Sequence, residues 1–486
     1  MINRPNIIIL ILDALRAKNL SCYGHQNKTS PHLDAFASES VLFRRAISPA
    51  TWTIPSHACL LSGLYISQHR IESINSNRHF NEKIITLPEA LRSQGYYSAA
   101  FSQNLLFSPD NHLDDGFDEF HSVDDLFDTR VSTKTIQRMS TWADTPFYKI
   151  ARYVRKMIAP RVLLDNIYNW ITGRNGQIPF FLLANILSPH FPWTLPPNFL
   201  PLREEINLKH LFTSDFITLK KQWEFNSRKR EVTETHRRVW RVLYNASVRH
   251  VDYEIGRFLK RLRSWEGWKN TVIVVTSDHG EMMGEHRNIV GHVLSLHDNL
   301  IHVPLIIRHP DYPGGLQVER VIQTIDLFPA VMEWANVPIS AVHPAQLQRP
   351  SLSEAMETPG DPGGFAFAEE DYSDSYDVIG KLMEINSQMN PKEYPRQQIA
   401  IRSASHKYIW CNDRPGEFYN LFADPDEQYN LIHSSDETDL SALRKHQDAL
   451  NVWRSGLEIF PPRHEGRKIK LESTMIERLR ALGYMA

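Results

Sequence analysis

Residues 6–16 read NIIILILDALR, and residues 272–286 read VIVVTSDHGEMMGEH. Each stretch opens with a short β-branched and aliphatic run. Each then reaches a carboxylate: Asp13 in the first, Asp278 followed by His279 in the second. A run that is apolar throughout, with no polar alternation, belongs in a strand covered on both faces. Phe180–Leu187 and Pro304–Ile307 have the same character. Leu87–Gln94 and Ser247–Arg263 instead carry apolar residues at spacings of three and four, which predicts helices. Strand and helix signals alternate through the first 340 residues, as in an α/β layered domain.

In α/β sheets, ligands bind beyond the carboxyl ends of the strands. Asp13, Asp278 and His279 are therefore candidate ligands of a cation. Oxygen-dominated ligation with one imidazole suits calcium, magnesium, manganese or zinc, and the donors alone do not choose. The plainer reading of Asp278 is a capping carboxylate.

A second informative stretch is residues 48–63, SPATWTIPSHACLLSG. Pro55 precedes a run that predicts a helix from Ser56 or His57, which sets Thr53 just ahead of a helix N-terminus. That end of a helix favours anions and offers free backbone N–H groups. A cation beside the Thr53 hydroxyl would make it a nucleophile. A threonine N-cap without a catalytic role fits the same letters. Cys59, six residues on, reads as helix packing.

Composition narrows the rest. Hydrophobic residues make up 42% and charged residues 23%, as in ordinary soluble globular proteins. The 54 basic and 56 acidic residues nearly cancel, so no global field favours nucleic acid or an anionic membrane. Cys22, Cys59 and Cys411 have no metal-ligand spacing and fit reduced thiols, which together with the absence of a long apolar run predicts a cytoplasmic protein. Ile7–Leu12 is too short to span a membrane.

The 486 residues suit one large domain and a smaller one. Residues 357–364, ETPGDPGG, read as a linker between a catalytic domain over 1–356 and a C-terminal domain over 365–486. In the latter, Gln398–Arg402 and Lys407–Trp410 read as antiparallel strands. Within 125–176, residues 147–161 read as a basic amphipathic helix, carrying Lys149, Arg152, Arg155, Lys156 and Arg161 among apolar neighbours. Such a helix is either a peripheral element with a solvated face or a contact for a membrane surface or anionic substrate.

The ordered set of motifs resembles the sulfatase family of the alkaline phosphatase superfamily. The resemblance rests on NIIILILDALR, SPHLDAFASESVLF (30–43), TWTIPSHACLLSGLY (51–65), TLPEALRSQGYYSAAF (86–101) and PFFLLANILSPHFPW (179–193). It continues through VDYEIGRFL (251–259), TSDHGEMMGEH (276–286), VPLIIR (303–308), IDLFPAVMEWANV (325–337), HKYIW (406–410) and EFYNLFADPDEQYNL (417–431). It implies a mainly parallel central sheet between helices, a smaller C-terminal α+β domain with an antiparallel sheet, and one divalent cation. By position it implies Asp13, Asp278 and His279 as ligands, with the Thr53 oxygen facing the ion. It also implies contacts from His190 to the ester, a general-acid role for His292, and an oxygen contact from Asn75. His286 and His297 read as structural.

This chain departs from the family pattern at several of these positions. Ala14 stands where many sulfatases have a second Asp. His279 stands where many have Asn, which favours manganese or zinc over calcium. His57 replaces the Arg of the motif, so support for the nucleophile is weakened or pH-dependent. Thr53 replaces the Cys or Ser that becomes formylglycine, and oxidation of its secondary alcohol gives a ketone rather than that aldehyde. The expectation is a metal-dependent hydrolase of anionic esters, favouring phosphodiesters or phosphonate monoesters, with Thr53 forming a covalent intermediate. A sulfuric ester hydrolase without formylglycine, a phospho-group transferase and a non-catalytic binding protein are the alternatives. The substrate would be a small-molecule, glycan or lipid anionic ester, not a nucleic acid; the oligomeric state is left open.

Overall fold

The computed structural model describes residues 4–72, 78–122, 146–174, 176, 178–193, 197–199, 219–349, 351–372 and 378–464. Its centre is an eight-stranded sheet. In chain order the strands are β1 (Asn6–Leu12), β2 (Val41–Ile47), β3 (Tyr97–Ser102), β4 (Glu119–His121), β5 (Phe180–Ile186), β6 (Thr271–Thr276), β7 (His302–Arg308) and β8 (Leu316–Gln323). Their order across the sheet is β8-β2-β7-β6-β1-β5-β3-β4. β1 pairs in parallel with both β5 and β6, with Ile9 beside Leu183 and Val274. β7 runs antiparallel to both of its neighbours, β2 and β6. The Pro304–Ile307 run is thus a buried strand, and it is the one reversed member of the described sheet. Burial on both faces dictates its composition and carries no information on direction.

Two hydrophobic cores flank the sheet because successive side chains of a strand point to opposite faces. Ile7, Ile9 and Ile11 enter one core, while Ile8, Leu10 and Leu12 enter the other. Full burial of each such side chain contributes about 1.5–3 kcal/mol. The second core is covered by two long helices, α1 (Pro146–Thr172) and α2 (Glu234–Leu262). In α1, Leu163, Leu164, Ile167 and Ile171 recur at helical spacing and are all buried. The basic stretch 147–161 therefore opens a longer helix whose second half is core. The side chains of Lys149, Arg152 and Arg155 fall outside the described residues. Helix α2 starts well before Ser247 because Thr233 and His236 form a reciprocal cap at its N-terminus. The buried Asp252, within VDYEIGRFL, accepts from the backbone N–H groups of His32 (3.1 Å) and Leu33 (2.7 Å), so this motif anchors the first turn of the SPHLDAF helix.

A second sheet is antiparallel: β9 (Ala366–Asp371), β10 (Gln397–Arg402), β11 (His406–Cys411) and β12 (Glu417–Asn420), in that order. Residues 357–364 run beside β8, where Glu319 N–H donates to Pro359 O (2.8 Å) and Val321 N–H to Gly363 O (3.2 Å). The buried Glu370 carboxylate on β9 accepts from the Leu294 N–H (2.8 Å), the Thr51 hydroxyl (3.2 Å) and the Gln398 amide (2.8 Å). It thereby ties the loop that precedes Thr53 and the 290–297 loop to the smaller sheet. No described helix is long and apolar enough to cross a membrane.

Candidate active site

Strands β6, β1, β5 and β3 are adjacent and parallel, so the chain leaves all four at the same edge. β6 leads into Asp278 and His279, β1 leads into Asp13, β5 carries Asn185 in its penultimate position, and β3 leads to Asn104. Helix α3 (Thr53–Ser62) begins at this edge. Thr53 is its first residue, and Trp52 occupies the cap position without a side-chain cap. The helix starts three residues earlier than Ser56 because Pro55 has a backbone angle suited to a first turn. Thr53 is therefore not an N-cap, and its hydroxyl is committed elsewhere. Asn104 Nδ2 donates to Thr53 Oγ1 (3.0 Å) and to Asp13 Oδ2 (2.6 Å), linking nucleophile candidate and ligand.

Asp13, Asp278 and His279 are fully or almost fully buried, and a donor atom from each lies within 4.8 Å of the others. His279 Nε2 stands 3.7 Å from Asp13 Oδ1 and 3.5 Å from Asp278 Oδ2. Among the described residues, Asp13 Oδ1 and His279 Nε2 make no hydrogen bond, while the Thr53 hydroxyl interacts with Asp278. The other side of each group is occupied. His279 Nδ1–H donates to Gly280 O (2.8 Å), so the lone pair is on Nε2. Asp278 Oδ1 accepts from the N–H groups of Ala14 (3.2 Å) and His279 (2.9 Å). Burial pushes Asp13 up to about 8, with the neighbouring Asp278 adding to the rise, and burial pushes Asp278 up to about 7. Two buried carboxylates and a neutral imidazole, all aimed at one point, match the charge and donor preference of a divalent cation. The Ala14 site contributes its N–H to Asp278 instead of a third carboxylate.

His57 does not replace the motif's Arg as a source of charge. It is fully buried, donates from Nδ1 to Thr53 O (2.8 Å), faces Asn185 Nδ2 through Nε2 (3.3 Å) and stacks on Phe107 at 4.5 Å. Burial lowers its pKa to about 4. Its contacts brace the first turn of the helix, and a neutral ring here fits weakened charge support rather than a pH-dependent one. His292 is likewise pushed down to about 4 by burial, which favours the neutral ring. His190 is lowered well below its ordinary value, first by burial and then by His292. The rings of His279, His292 and His190 lie together, with centroids 4.8 Å apart for the first pair and 5.0 Å for His190 with His292.

Asn75 lies outside the described residues. Cys59 is buried against His69, with Sγ to Nε2 3.3 Å, in the core shared with the smaller sheet. His286 and His297 stack at 3.6 Å, and His297 Nε2 sits 3.3 Å from Glu417. Asn104, Asn185 and Glu281 are site residues that the sequence reading passes over. A lone Asn inside the apolar FFLLANIL run was a usable signal for Asn185; nothing local marks Asn104. Gly280 keeps this edge closed, because a Cβ there would meet the Asn299 carbonyl oxygen at 2.1 Å. Gly280→Ala is expected to lose about 1–3 kcal/mol in chemical denaturation and to weaken cation binding beside His279. Unchanged stability and cation affinity would contradict this.

The fold brings a cluster of candidate cation ligands, Asp13, Asp278 and His279, and the hydroxyl of Thr53 to one strand edge of an α/β sheet. The Sulfatase family model matches residues 5–337, and the chain belongs to that family. An ulvan-active sulfatase of Formosa agariphila is 25% identical over 444 residues, covering 88% of this chain and 77% of that protein. An N-acetylglucosamine-6-O-sulfatase of Bacteroides thetaiotaomicron is 23% identical over 504 residues, covering 88% and 83%. Among solved structures, the phosphonate monoester hydrolase of Agrobacterium radiobacter superposes with a TM-score of 0.68 at 23% identity, covering 93% of this chain and 96% of that one. Membership makes the protein an ester hydrolase acting on anionic esters.

Proposed function

We propose that the protein hydrolyses phosphodiesters or phosphonate monoesters through a covalent intermediate on Thr53. The observation that carries this is the identity and setting of residue 53: an unmodified secondary alcohol, held by Asn104 next to Asp13 and the cation ligands. A sulfated formylglycine hydrate can expel sulfate by re-forming its carbonyl. A threonine ester has no such exit, so the central atom must accept a second attack by water. Phosphorus undergoes this step more readily than sulfur in a simple alkyl sulfate. Similarity to a phosphonate monoester hydrolase fits the reading, and similarity to polysaccharide sulfatases supports the rival of a sulfatase without formylglycine.

Asp13, Asp278 and His279 would hold a divalent cation of the manganese or zinc kind. Such an ion, when bound, lowers the pKa of an adjacent hydroxyl and screens the charge of the ester. The chain's own residues supply the rest. Asn104 fixes the Thr53 oxygen for in-line attack, and His57 locks the helix turn that carries it. The start of the helix presents its positive end to the ester oxygens. His190 and His292 line the adjoining wall, toward the ester and its leaving group. Three unpaired cysteines fit a reducing, cytoplasmic setting.

The deciding experiment is a matched panel of aryl sulfate, phosphomonoester, phosphodiester and phosphonate monoester with several divalent ions. A higher kcat/KM for the phosphodiester or phosphonate is the expected result, and a large sulfate preference overturns the proposal. Asn104→Ala should lower kcat by about 10–100-fold with a smaller effect on KM, since it misplaces the attacking oxygen rather than the substrate. Steady-state kinetics on the best ester of the panel read this directly.

A further inference from the structure

We infer that Glu370, on strand β9 of the smaller sheet, is a positioning residue that sets Thr53 and His292 relative to one another. A single oxygen carries the link. Oε1 accepts from the Thr51 hydroxyl (3.2 Å), two residues before Thr53. The same atom accepts from the Leu294 N–H (2.8 Å), two residues after His292. Oε2 accepts from the Gln398 amide on β10 (2.8 Å), which fixes the carboxylate on its own sheet. Glu370 is 3% exposed, so bulk water does not compete for these contacts. Hydrogen bonds to a carboxylate are stronger than those between neutral groups, and the bridge is correspondingly stiff.

The backbone on each side of the bridge needs such a hold. Leu294 has a φ of +67°, in the left-handed region that a side chain with a Cβ disfavours. A residue stays there only where its surroundings over-determine it. Its N–H is gripped by Glu370 Oε1 and by the Tyr372 hydroxyl (3.0 Å), which itself donates to Glu370. This bend fixes the course of the chain just past His292, whose ring stands 4.8 Å from that of His279. On the other side, Glu369 adds to the grip on the nucleophile helix. Its N–H donates to Pro49 O (2.9 Å), and its carboxylate accepts from the Ser67 N–H (2.9 Å). Adjacent residues of β9 therefore hold the chain ahead of helix α3 and again beyond its end. Thr53 opens that helix, so its hydroxyl takes its place from the smaller sheet as well as from Asn104. The inference rests on Thr53 as the attacking residue and is indifferent to the choice between phosphorus and sulfur.

Steady-state kinetics on whichever ester of the panel turns over fastest test the bridge, at a temperature where circular dichroism shows each variant folded. Glu370→Ala should lower kcat about 10–100-fold with KM changed by less than about threefold, because it misplaces reacting groups and leaves substrate contacts alone. Glu370→Gln keeps an acceptor oxygen in place and should recover most of that loss. Thr51→Val should lower kcat by about 10-fold alone, yet add little to Glu370→Ala in the double variant, since both cut the same bond. Wild-type kcat in folded Glu370→Ala, or losses that simply multiply in the double variant, overturns the proposal. If Glu370→Ala does not fold, Thr51→Val and Tyr372→Phe cut the two arms separately, and wild-type kcat in both overturns it equally. The two readings fail separately: unimpaired Thr53→Ala defeats the nucleophile reading, whereas impaired Thr53→Ala beside unimpaired Glu370→Ala defeats only the bridge.

Discussion

Thr53→Ala is expected to lower kcat on the preferred ester by at least about 10³-fold while leaving cation binding in place. The substitution removes the hydroxyl that Asn104 holds beside Asp13, and the Asn104–Asp13 contact at 2.6 Å does not depend on it. Stability should change little, since the side chain sits at the start of a helix and the loss is one hydroxyl and one methyl. Thr53→Ser should retain a substantial fraction of activity, because the attacking oxygen survives and only its rotamer freedom increases. Rapid-quench or mass-spectrometric trapping should show a covalent adduct on residue 53 in the wild type and none in Thr53→Ala. Full metal-dependent turnover by the alanine variant would remove the basis of the proposed mechanism.

The second large effect concerns Asp13. Asp13→Asn should abolish cation binding at its site and cut activity by a comparable factor, yet raise the stability of the chelated protein. Asp13 and Asp278 are buried carboxylates whose folded-state pKa values, about 8 and about 7, lie far above the ordinary value of 3.8. A carboxylate with a raised folded pKa contributes full stability below its unfolded pKa and loses it as pH rises through the folded value. Glu281, pushed up to about 7 mainly by burial, acts in the same direction. The buried histidines oppose this trend at lower pH. His57, His279, His292 and His302 are all held near 4, so they add stability as pH rises toward 6.5 and change nothing above it. Between pH 6.5 and 8 the carboxylates dominate, joined by Asp252, Glu369 and Glu370, each also raised to about 7 mainly by burial. The melting temperature of the metal-free wild type should therefore fall across that window, and Asp13→Asn should flatten the fall. Saturating cation should reverse it, because binding to the folded state alone stabilises in proportion to the logarithm of ligand concentration. A metal-free protein whose melting temperature rises from pH 6.5 to 8 would refute this account.

Asp13, Asp278 and His279 were legible because each follows an apolar run, and a polar group at that point is conspicuous. Thr53 was legible through its neighbours, with Pro55 marking the turn. Asn104 was not, since its partner Asp13 is 91 residues away and FSQNLLF looks like any loop. The state of His57 is hidden from the sequence for a different reason. Its letter says titratable near neutrality, whereas enclosure beside Phe107 and the bond to Thr53 O make it a neutral brace. The reversed direction of β7 was invisible for a third reason, because parallel and antiparallel strands buried on both faces share one composition.

Taken alone, the sequence determined the α/β layering, the strand-end donors and the presence of a threonine where formylglycine chemistry would need cysteine or serine. Those properties reside in local periodicity and in the covalent nature of single side chains. The tertiary structure decided which strand ends are neighbours, so that Asn104 and Asn185 reach Asp13, and which imidazoles stand in a row beside Glu281. It also decided the protonation state of each buried group. Strand order and desolvation arise only when distant segments pack together, so no local stretch of sequence contains them.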